Sequence, residues 1–409
     1  MIKIAILGYG VVGSGVAEVL RNNQAQIMKK TGQEIEVKYV LDLRELPGDP
    51  LECRLVKDFA VIENDPEVTI VVESMGGETV AYDYAKRALL AGKNVCTPNK
   101  ALMAKHGAEL LALAKEKDIS LLFEASVGGG IPLIRPFNSA LLTDEIETVS
   151  GILNGTSNYI LTQMSVKGTS YAEALKSAQE LGYAEADPTA DVGGFDACRK
   201  LSILLSLATG KRVDYEDIQT EGIENISGED FAFAHALGFT LKQIVDGRIC
   251  ENGVEAITAP FLVPLFHPMS TVNEAYNAAW VKGKATGNIM LYGSGAGKHP
   301  TASAVISDIV DIANSCTHIP YGWTAEKVKV LPVSGYVKRK VIRVACENPG
   351  VIVDAVDSEN AVALPDYPGY AAWITEPQTE AETTALLEKL KELPGFKSVE
   401  RVLRVFGME

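Results

Sequence analysis

The chain has 409 residues, which is too long for one ordinary hydrophobic core and predicts two or three domains. Its content of 47% hydrophobic and 22% charged residues is typical of a folded soluble protein and excludes a largely disordered chain. The formal net charge of -15 would repel nucleic acids and anionic lipids, and no basic patch opposes it. We therefore expect small-molecule partners.

The cysteines and the amino terminus indicate where the protein works. The six cysteines lie far apart without a C-x-x-C pair, which favours free thiols in a reducing cytosol over a zinc site or a disulfide framework. Residues 1–7 run straight into a glycine turn without a cleavage site, and no apolar run has the length of a membrane span. These features predict a cytoplasmic protein that binds neither nucleic acid nor membrane.

Apolar runs alternate with helical patterns in the first part of the chain. The apolar runs are residues 2–7, 37–41, 69–72, 94–96 and 120–123. Helical stretches such as 81–91 and 104–117 lie between them. This alternation predicts an α/β fold with a parallel sheet covered on both faces.

A glycine-rich turn, GYGVVG, joins the first strand to the first helix and has the spacing G-x-G-x-x-G. Gly8 permits the tight turn, Gly10 lets a pyrophosphate approach the backbone, and Gly13 allows the helix to pack closely on the strand. The free N–H groups of the helix start, at Val11 and Val12, are suited to bind the pyrophosphate. The alternative is a turn needed only for packing. We interpret residues 1–130 as a Rossmann domain that binds a dinucleotide.

The end of the second strand bears on the choice of dinucleotide. Asp42 could accept from a ribose 2′-hydroxyl, which favours NAD, whereas Arg44 could pair with a 2′-phosphate, which favours NADP. Either residue could equally be a solvated loop charge. The sequence therefore predicts NAD or NADP without deciding between them.

The rest of the chain predicts two further modules. Residues 131–320 read as an α+β substrate and catalytic domain with longer helices, in which the apolar helix at 302–313 could pack back on the first domain. Residues 337–409 read as strand, turn, weak helix or loop, strand, helix and strand. This pattern suits a small α+β module.

A cluster of acids precedes a lysine in the second domain. Glu185, Asp187 and Asp191 lie in a loop, and the following helix carries Asp196 and Lys200 four residues apart on one face. The alternative is a solvated ion pair beside a capping loop. However, the helix after Lys200 is apolar nearly all round, so this lysine enters a segment that we expect to be buried.

A lysine held by a carboxylate suits the reduction of an aldehyde. Negative charge develops on the carbonyl oxygen as a nicotinamide hydride arrives, and a positioned ammonium can stabilise or protonate that oxygen. The remaining acids can bind the ammonium group of an amino-acid substrate by charge-assisted hydrogen bonds. The cluster therefore predicts a dehydrogenase acting on an amino acid.

These features and several further motifs resemble the homoserine dehydrogenase family. The additional motifs occur in the family's order and, with the glycine turn and the acid–lysine stretch, cover about residues 1–315. They are TPNK at 97–100, EASVGGGIP at 124–132, GILNGTSNYIL at 151–161, GAG at 295–297 and PTASA at 300–304.

The resemblance implies NAD(P)-dependent interconversion of L-homoserine and L-aspartate 4-semialdehyde in threonine and methionine biosynthesis. It implies that Lys200 donates or accepts the proton, that Asp196 supports it, and that Glu185 binds the substrate amino group. The other positions implied at the substrate are Asp191, Lys100, Asn154, Gly155 and Thr156, and those implied at the cofactor include Lys100 and Gly295.

The resemblance also implies a sodium ion and a homodimer or homotetramer. The sodium ligands would be the Glu124 carboxylate and the backbone carbonyls of Val127, Gly129 and Ile131. A glycine-rich loop after a carboxylate can turn several carbonyls toward one hard cation, so the physical interpretation is compatible. The alternative for residues 128–130 is a hinge between domains.

The tail resembles a degenerate ACT domain. The strand at 341–344 and the turn ENPGV at 347–351 fit that module, but Asp354, Asp357 and Glu359 interrupt the apolar stripe expected of its first helix. The sequence therefore does not predict amino-acid feedback control. The alternatives for the whole chain are another amino-acid-linked dehydrogenase and a non-catalytic protein that senses NAD(P) and an amino acid.

Overall fold

The computed structural model describes residues 1–314, 322–356 and 361–408. Two compact units are each assembled from separate stretches of the chain, unit 1 from Met1–Val149, Arg199–Tyr215 and Ala279–Val328, and unit 2 from Ser150–Cys198, Glu216–Ala278 and Lys329–Glu409. The sequential domain limits at 130, 320 and 337 stay predictions, and residue 320 lies outside the described residues.

The strands and helices are numbered in chain order. The strands are β1 (Ile2–Leu7), β2 (Ile35–Leu41), β3 (Leu55–Val56), β4 (Val68–Glu73), β5 (Asn94–Cys96), β6 (Leu121–Leu122), β7 (Ile146–Ile152), β8 (Lys211–Arg212), β9 (Gln219–Thr220), β10 (Phe239–Cys250), β11 (Gly253–Pro264), β12 (Tyr276–Gly283), β13 (Gly287–Ser294), β14 (Thr324–Lys327), β15 (Lys340–Cys346), β16 (Ala361–Val362), β17 (Tyr370–Ile374) and β18 (Phe396–Val405). The helices are α1 (Val11–Asn22), α2 (Gln24–Thr31), α3 (Phe59–Glu63), α4 (Thr79–Leu90), α5 (Lys100–Glu116), α6 (Ile134–Asn138), α7 (Gly155–Lys167), α8 (Tyr171–Glu180), α9 (Thr189–Val192), α10 (Phe195–Thr209), α11 (Gly228–Ala236), α12 (Lys298–Ala313), α13 (Pro349–Val356) and α14 (Glu380–Leu390). Within the described ranges, none of these helices has both the length and the apolar character needed to cross a bilayer.

Unit 1 contains a six-stranded parallel sheet in the order β3-β2-β1-β4-β5-β6. This is the strand order of a dinucleotide-binding Rossmann sheet, so the α/β prediction is confirmed. The order reverses between β1 and β4, where a ligand crevice opens at the carboxyl ends of the strands. The apolar runs in the sequence became strands because both faces of the sheet are buried.

The late helix α12 belongs to the core of unit 1. Its buried Ala302, Val305 and Ile309 join Ile4 and Val16 in one hydrophobic cluster. The approach to α1 is close, since a Cβ atom at Gly15 would lie 2.9 Å from the backbone oxygen of Lys298. Outside the parallel sheet, β13 pairs with β12 and β12 pairs with β7.

Unit 2 is built on a long antiparallel hairpin of β10 and β11. Strand β11 continues into a sheet with the order β11-β18-β15-β17-β16, and β9 also pairs with β11. Helix α7 is buried over most of its length, and its Ile160 and Leu161 pack with Leu241 and Leu262 of the hairpin. An almost wholly buried helix of this kind has little amphipathic pattern in its sequence.

The elements of the tail follow one another along the chain in the order β15, α13, β16, β17, α14 and β18. Strands β18, β15, β17 and β16 form an antiparallel sheet, and a small core around Ile342, Ile352 and Trp373 lies on it. Helix α13 occupies the position predicted as a weak helix or loop, and Asp354 is exposed on it. Asp357 and Glu359 lie outside the described residues. The α+β character is present, whereas the assignment to the ACT family stays a prediction.

Buried ion pairs attach the tail to the rest of unit 2. Asp230 of α11 has a fully buried carboxylate that accepts from Arg343 of β15 at 2.9 Å and from Arg401 of β18. Arg404 of β18 pairs with Glu221 at 3.0 Å. Because each buried charge needs its partner, these pairs hold the tail against the rest of unit 2.

We expect Asp230→Asn to lower the free energy of unfolding by about 3–5 kcal/mol, since two guanidinium groups would lose their counter-charge in a buried position. The midpoint of urea unfolding, followed by intrinsic fluorescence, measures the effect. Glu376→Gln is the matched control, because its ion pair with Arg339 involves a side chain that is 80% exposed, and its midpoint should not move. Equal midpoints for the two variants would contradict this account.

Candidate functional site

The three glycines of the turn have different structural roles. Gly8 has a positive φ of 86°, which favours glycine. A Cβ atom at Gly13 would penetrate the backbone oxygen of Gly8, so this glycine is required for packing α1 on β1. A Cβ atom at Gly10 would meet nothing within 4 Å. The chain itself therefore does not need glycine at position 10, which leaves the approach of a ligand as the reason for it.

The start of α1 faces a cavity suited to a dinucleotide. Gly10 is the N-cap residue and offers no side-chain cap, so the first N–H groups of the helix, including those of Val11 and Val12, stay available to an anion. The cavity has a volume of about 470 Å³ and is lined in part by Gly8, Gly10 and Asp42. This combination can hold a pyrophosphate.

The end of β2 brings an acid and two cations to the same cavity. Both oxygens of Asp42 are engaged: Oδ1 accepts from the backbone N–H and Nε of Arg44, and Oδ2 accepts from Nη2 of Arg44 and from the backbone N–H of Tyr9. The guanidinium beside it holds the pKa of Asp42 well below its usual range. Lys57 also lines the cavity and donates to the carbonyls of Leu43 and Arg44.

A buried carboxylate at the end of β4 organises the segment that leads to Lys100. Glu73 accepts from the Thr97 hydroxyl at 2.6 Å, and the Thr97 oxygen in turn accepts from the Asn99 backbone N–H. Asn99 then caps α5, whose first residue is Lys100. Burial raises the pKa of the Glu73 carboxyl. Glu73 was not among the residues predicted from the sequence, although an acid at the carboxyl end of a parallel strand is a usable signal.

Glu124 serves as the N-terminal cap of α6. Its carboxylate accepts three backbone N–H bonds, from Leu133, Ile134 and Arg135, at 2.6–2.9 Å. An ionised carboxylate has about four lone-pair positions, so one is left for a cation. The described residues contain no cluster of three or more acidic, histidine or cysteine side chains that could hold a metal ion.

The predicted sodium loop and the predicted cofactor loop touch through their backbones. A Cβ atom at Gly129 would lie 2.6 Å from the carbonyl carbon of Gly295, and the Gly130 N–H donates to Ser294 at 3.1 Å. Both Gly128 and Gly129 have positive φ values, 77° and 56°. The glycines are therefore needed for the close approach of these two loops within unit 1, which also contains Val127 and Ile131.

In unit 2, one amide joins two of the predicted acids. The Asn154 side-chain NH₂ donates to Asp191 at 2.7 Å and to Asp196 at 2.9 Å, while its carbonyl oxygen accepts from the Ser157 N–H and caps α7. Asp196 is 4% exposed. The predicted residues Asn154, Asp191 and Asp196 are thus assembled at the amino end of α7.

The other predicted substrate residues lie in the first turn of α7 and on the loop that contains Glu185. Thr156, in the first turn of α7, donates to the backbone carbonyl of Tyr183 at 2.7 Å. Glu185 is exposed on the loop, and its backbone carbonyl accepts from Gln179. Gly155 is packed so tightly that a Cβ atom would lie 2.8 Å from the Ala275 oxygen. The loop therefore presents the Glu185 carboxylate to solvent beside a rigid helix start.

Lys200 lies one helical turn after Asp196 on α10, so the two side chains share a face of that helix. Lys200 is only 9% exposed, as the apolar sequence after it suggested. A buried lysine near a buried carboxylate on a helix is a chemical group suited to proton transfer.

Comparison with known proteins agrees with this geometry. A homoserine dehydrogenase model matches residues 132–310, and a homoserine dehydrogenase NAD-binding-domain model matches residues 8–124. A homoserine dehydrogenase of Synechocystis sp. is 38% identical over 99% of this chain and 100% of that protein. The chain belongs to the homoserine dehydrogenase family.

Solved structures extend the likeness to the fold. A homoserine dehydrogenase from Thiobacillus denitrificans superposes with a TM-score of 0.88 at 35% identity, covering 99% of this chain and 98% of that one. A hyperthermophilic archaeal homoserine dehydrogenase in complex with NADPH superposes with a TM-score of 0.63 at 25% identity, covering 76% of this chain and 97% of that one.

Membership of the homoserine dehydrogenase family makes the chain an NAD(P)-dependent oxidoreductase that acts on a CH–OH group and serves threonine and methionine biosynthesis. The catalytic and NAD-binding family models both match, and their ranges include the predicted site residues other than Val127, Gly129 and Ile131. Neither alternative function, a sensing protein or a different amino-acid-linked dehydrogenase, is favoured.

We expect Gly10→Ala and Gly13→Ala to separate ligand binding from folding. Gly10→Ala should leave the thermal midpoint unchanged and weaken NAD(P)H binding by roughly 10–100-fold, through loss of charge-assisted N–H bonds to the pyrophosphate. Gly13→Ala should lower the midpoint itself. Fluorescence titration with the reduced cofactor and thermal melting measure the two effects, and unimpaired binding by folded Gly10→Ala would contradict the assignment.

Proposed function

We propose that Lys200 is the proton donor and acceptor in the interconversion of L-homoserine and L-aspartate 4-semialdehyde. A bound nicotinamide supplies the hydride to the aldehyde carbon or accepts it in the reverse direction. Lys200 gives a proton to the carbonyl oxygen as the hydride arrives, and takes it from the hydroxyl in the reverse direction. Asp196 keeps the ammonium in place from one helical turn away.

The acids of unit 2 are proposed to bind the amino-acid part of the substrate. Glu185 is exposed on its loop, where its carboxylate can accept hydrogen bonds from an ammonium group, so we assign it to the amino group of the substrate. Asp191 and Asn154 form the rest of the binding surface together with Gly155 and Thr156 of the first turn of α7. Lys100, at the start of α5, is assigned to both cofactor and substrate.

The observation that carries this proposal is the burial of Lys200 on α10 beside Asp196. Burying an ammonium group is costly unless a partner holds it, and the buried carboxylate of Asp196, one helical turn earlier on α10, can provide the counter-charge. A helix also fixes the lysine more rigidly than a loop would, which suits proton transfer over a short distance.

We expect Lys200→Ala to lower kcat by roughly 10²–10⁴-fold, the usual effect of losing a positioned general acid. The dissociation constant for NADPH should stay close to the wild-type value. Steady-state absorbance assays in both directions and fluorescence titration measure the two quantities. Lys211→Ala is the control, because that lysine forms an exposed pair with Glu326, and near-wild-type turnover of Lys200→Ala would remove Lys200 from the mechanism.

We further propose that the cofactor is NADP(H) in preference to NAD(H). Four donors already occupy the Asp42 carboxylate, so a ribose 2′-hydroxyl finds no lone pair there unless Arg44 moves away. The Arg44 side chain is 65% exposed and can turn toward a 2′-phosphate. Lys57 provides a second cation on the same cavity.

Removing Arg44 should change the preference rather than the overall activity. Arg44→Ala should lower kcat/KM for NADP by roughly 10–100-fold, since a bidentate charge-assisted contact is lost. It should leave or improve kcat/KM for NAD, because the Asp42 oxygens become available. Arg54→Ala, which removes an arginine paired with Glu36 in the same unit, should affect neither value. An equal loss with both cofactors in Arg44→Ala would refute the proposal.

The remaining proposals concern a metal ion, the assembly of subunits and the location of the protein. A sodium ion would take one oxygen position of Glu124, with carbonyls of Val127, Gly129 and Ile131, while the carboxylate keeps its three N–H bonds. We also propose a homodimer or homotetramer and a cytoplasmic location. No disulfide joins the described cysteines, which fits a reducing compartment, and Cys316 lies outside the described residues.

A further inference from the structure

A short segment, residues 272–276, is clamped along one face of α7. Asn158 is the centre of the clamp, since its side-chain NH₂ donates to the backbone carbonyls of Val272, Glu274 and Tyr276 at 2.9–3.1 Å. Asn158 itself is completely buried. An amide rarely finds three backbone acceptors unless the segment must hold one conformation, and this arrangement fixes every second carbonyl of the segment.

The same segment is strained at its centre. Glu274 has a φ of 58°, in the left-handed region that a side chain disfavours. Two further residues of α7 hold it there: Thr162 accepts from the Glu274 N–H at 3.1 Å, and Gln163 donates to both oxygens of its carboxylate. The clamp therefore stabilises a backbone conformation that would not persist alone.

Lys242 of β10 adds a buried charge to this clamp. Its ammonium donates to the Val272 carbonyl at 2.5 Å, to Asn273 Oδ1 at 2.8 Å and to Asn158 Oδ1 at 3.4 Å. The residue is 2% exposed, and burial lowers its pKa to about 8. The negative charge of Glu274 acts in the opposite direction and raises the pKa of Lys242, but by less than burial lowers it. Three neutral oxygens are a costly environment for an ammonium group, so a specific role is indicated.

The clamp acts on the helix turn assigned to the substrate. The Ala275 oxygen lies so close to Gly155 that a Cβ atom there would be 2.8 Å away. Asn154 and Thr156, on either side of Gly155, make the contacts to Asp191, Asp196 and Tyr183 described above. A movement of the 272–276 segment would therefore release the first turn of α7.

We propose that Lys242 is a positioning residue for homoserine: it holds the 272–276 segment against α7 and so fixes the turn at Asn154, Gly155 and Thr156. This rests on the proposed substrate role of that turn. Lys242 touches neither the predicted proton donor nor the cofactor cavity, so its removal affects binding of the amino acid more than the chemical step.

The test is Lys242→Met in the full chain, with steady-state kinetics and hydrogen exchange. We expect the KM for homoserine to rise about tenfold, the effect of losing a charge-assisted hydrogen bond, with kcat and NADPH affinity within about twofold of wild type. Amide exchange in residues 272–276 and in the first turn of α7 should accelerate. Unchanged exchange or an unchanged KM would overturn the proposal.

Lys340→Met is the matched control. Lys340 is another fully buried lysine of unit 2, whose ammonium donates to the Gln378 carbonyl at 2.9 Å in the tail. Its removal should lower stability without changing the KM for homoserine. If Lys340→Met raises the KM as much as Lys242→Met does, the effect is general destabilisation and the proposal fails.

A pair of variants at the exposed Asn273 covers the case in which Lys242→Met does not fold. Asn273→Ala removes one acceptor and should raise the KM about threefold, the lower range for one hydrogen bond, whereas Asn273→Asp keeps the acceptor and should retain the wild-type KM. Equal KM values for the pair would overturn the proposal. Asn154→Ala, measured in parallel, tests the substrate turn directly: a normal KM there would instead refute the proposed function of that turn.

Discussion

The arrangement of the acids at the amino end of α7 depends on the orientation of one side-chain amide, that of Asn154. Its oxygen must face the Ser157 N–H, which can only donate, so its NH₂ must face Asp191 and Asp196, which as carboxylates only accept. The helix cap thus orients the amide toward the two acids, of which Asp196 lies in the first turn of α10. The residue that caps α7 thus also binds the two acids of the proposed site.

Both units use buried charge to fix backbone rather than to form isolated pairs. Glu124 caps α6, and Asp308 of α12 accepts from the Glu124 N–H at 3.0 Å and from Arg135 at 2.9 Å. Glu73 organises the approach to α5, and Lys242 holds the 272–276 segment. Glu124, Glu73 and Lys242 each meet backbone or neutral partners, whereas Asp308 also pairs with the Arg135 guanidinium; burying these groups costs desolvation but selects one conformation.

Local sequence patterns could predict the parallel sheet, the glycine turn and the pairing of Asp196 with Lys200 on one helix, because strand alternation and helical spacing are visible within a few residues. They could not predict that Glu124 caps α6 or that Lys242 binds the Val272 carbonyl, since these contacts join residues whose separation leaves no periodic signal. The tail shows both cases: its α+β pattern was readable, whereas the pairing of β18 with β11 depends on residues far away in the chain.

The pairing of β11 with β18 affects the order in which the sheet can form during synthesis of the polypeptide chain. Strand β9 precedes β11 in the chain and pairs with Ile257 and Thr258, whereas Phe261 and Leu262 pair with β18 and so lack that partner while the ribosome makes the residues between β11 and β18. An unpaired strand edge is a template for pairing with other chains. Unit 2 therefore completes its sheet only after β18 has been made, and until then this short part of β11 can pair with another chain.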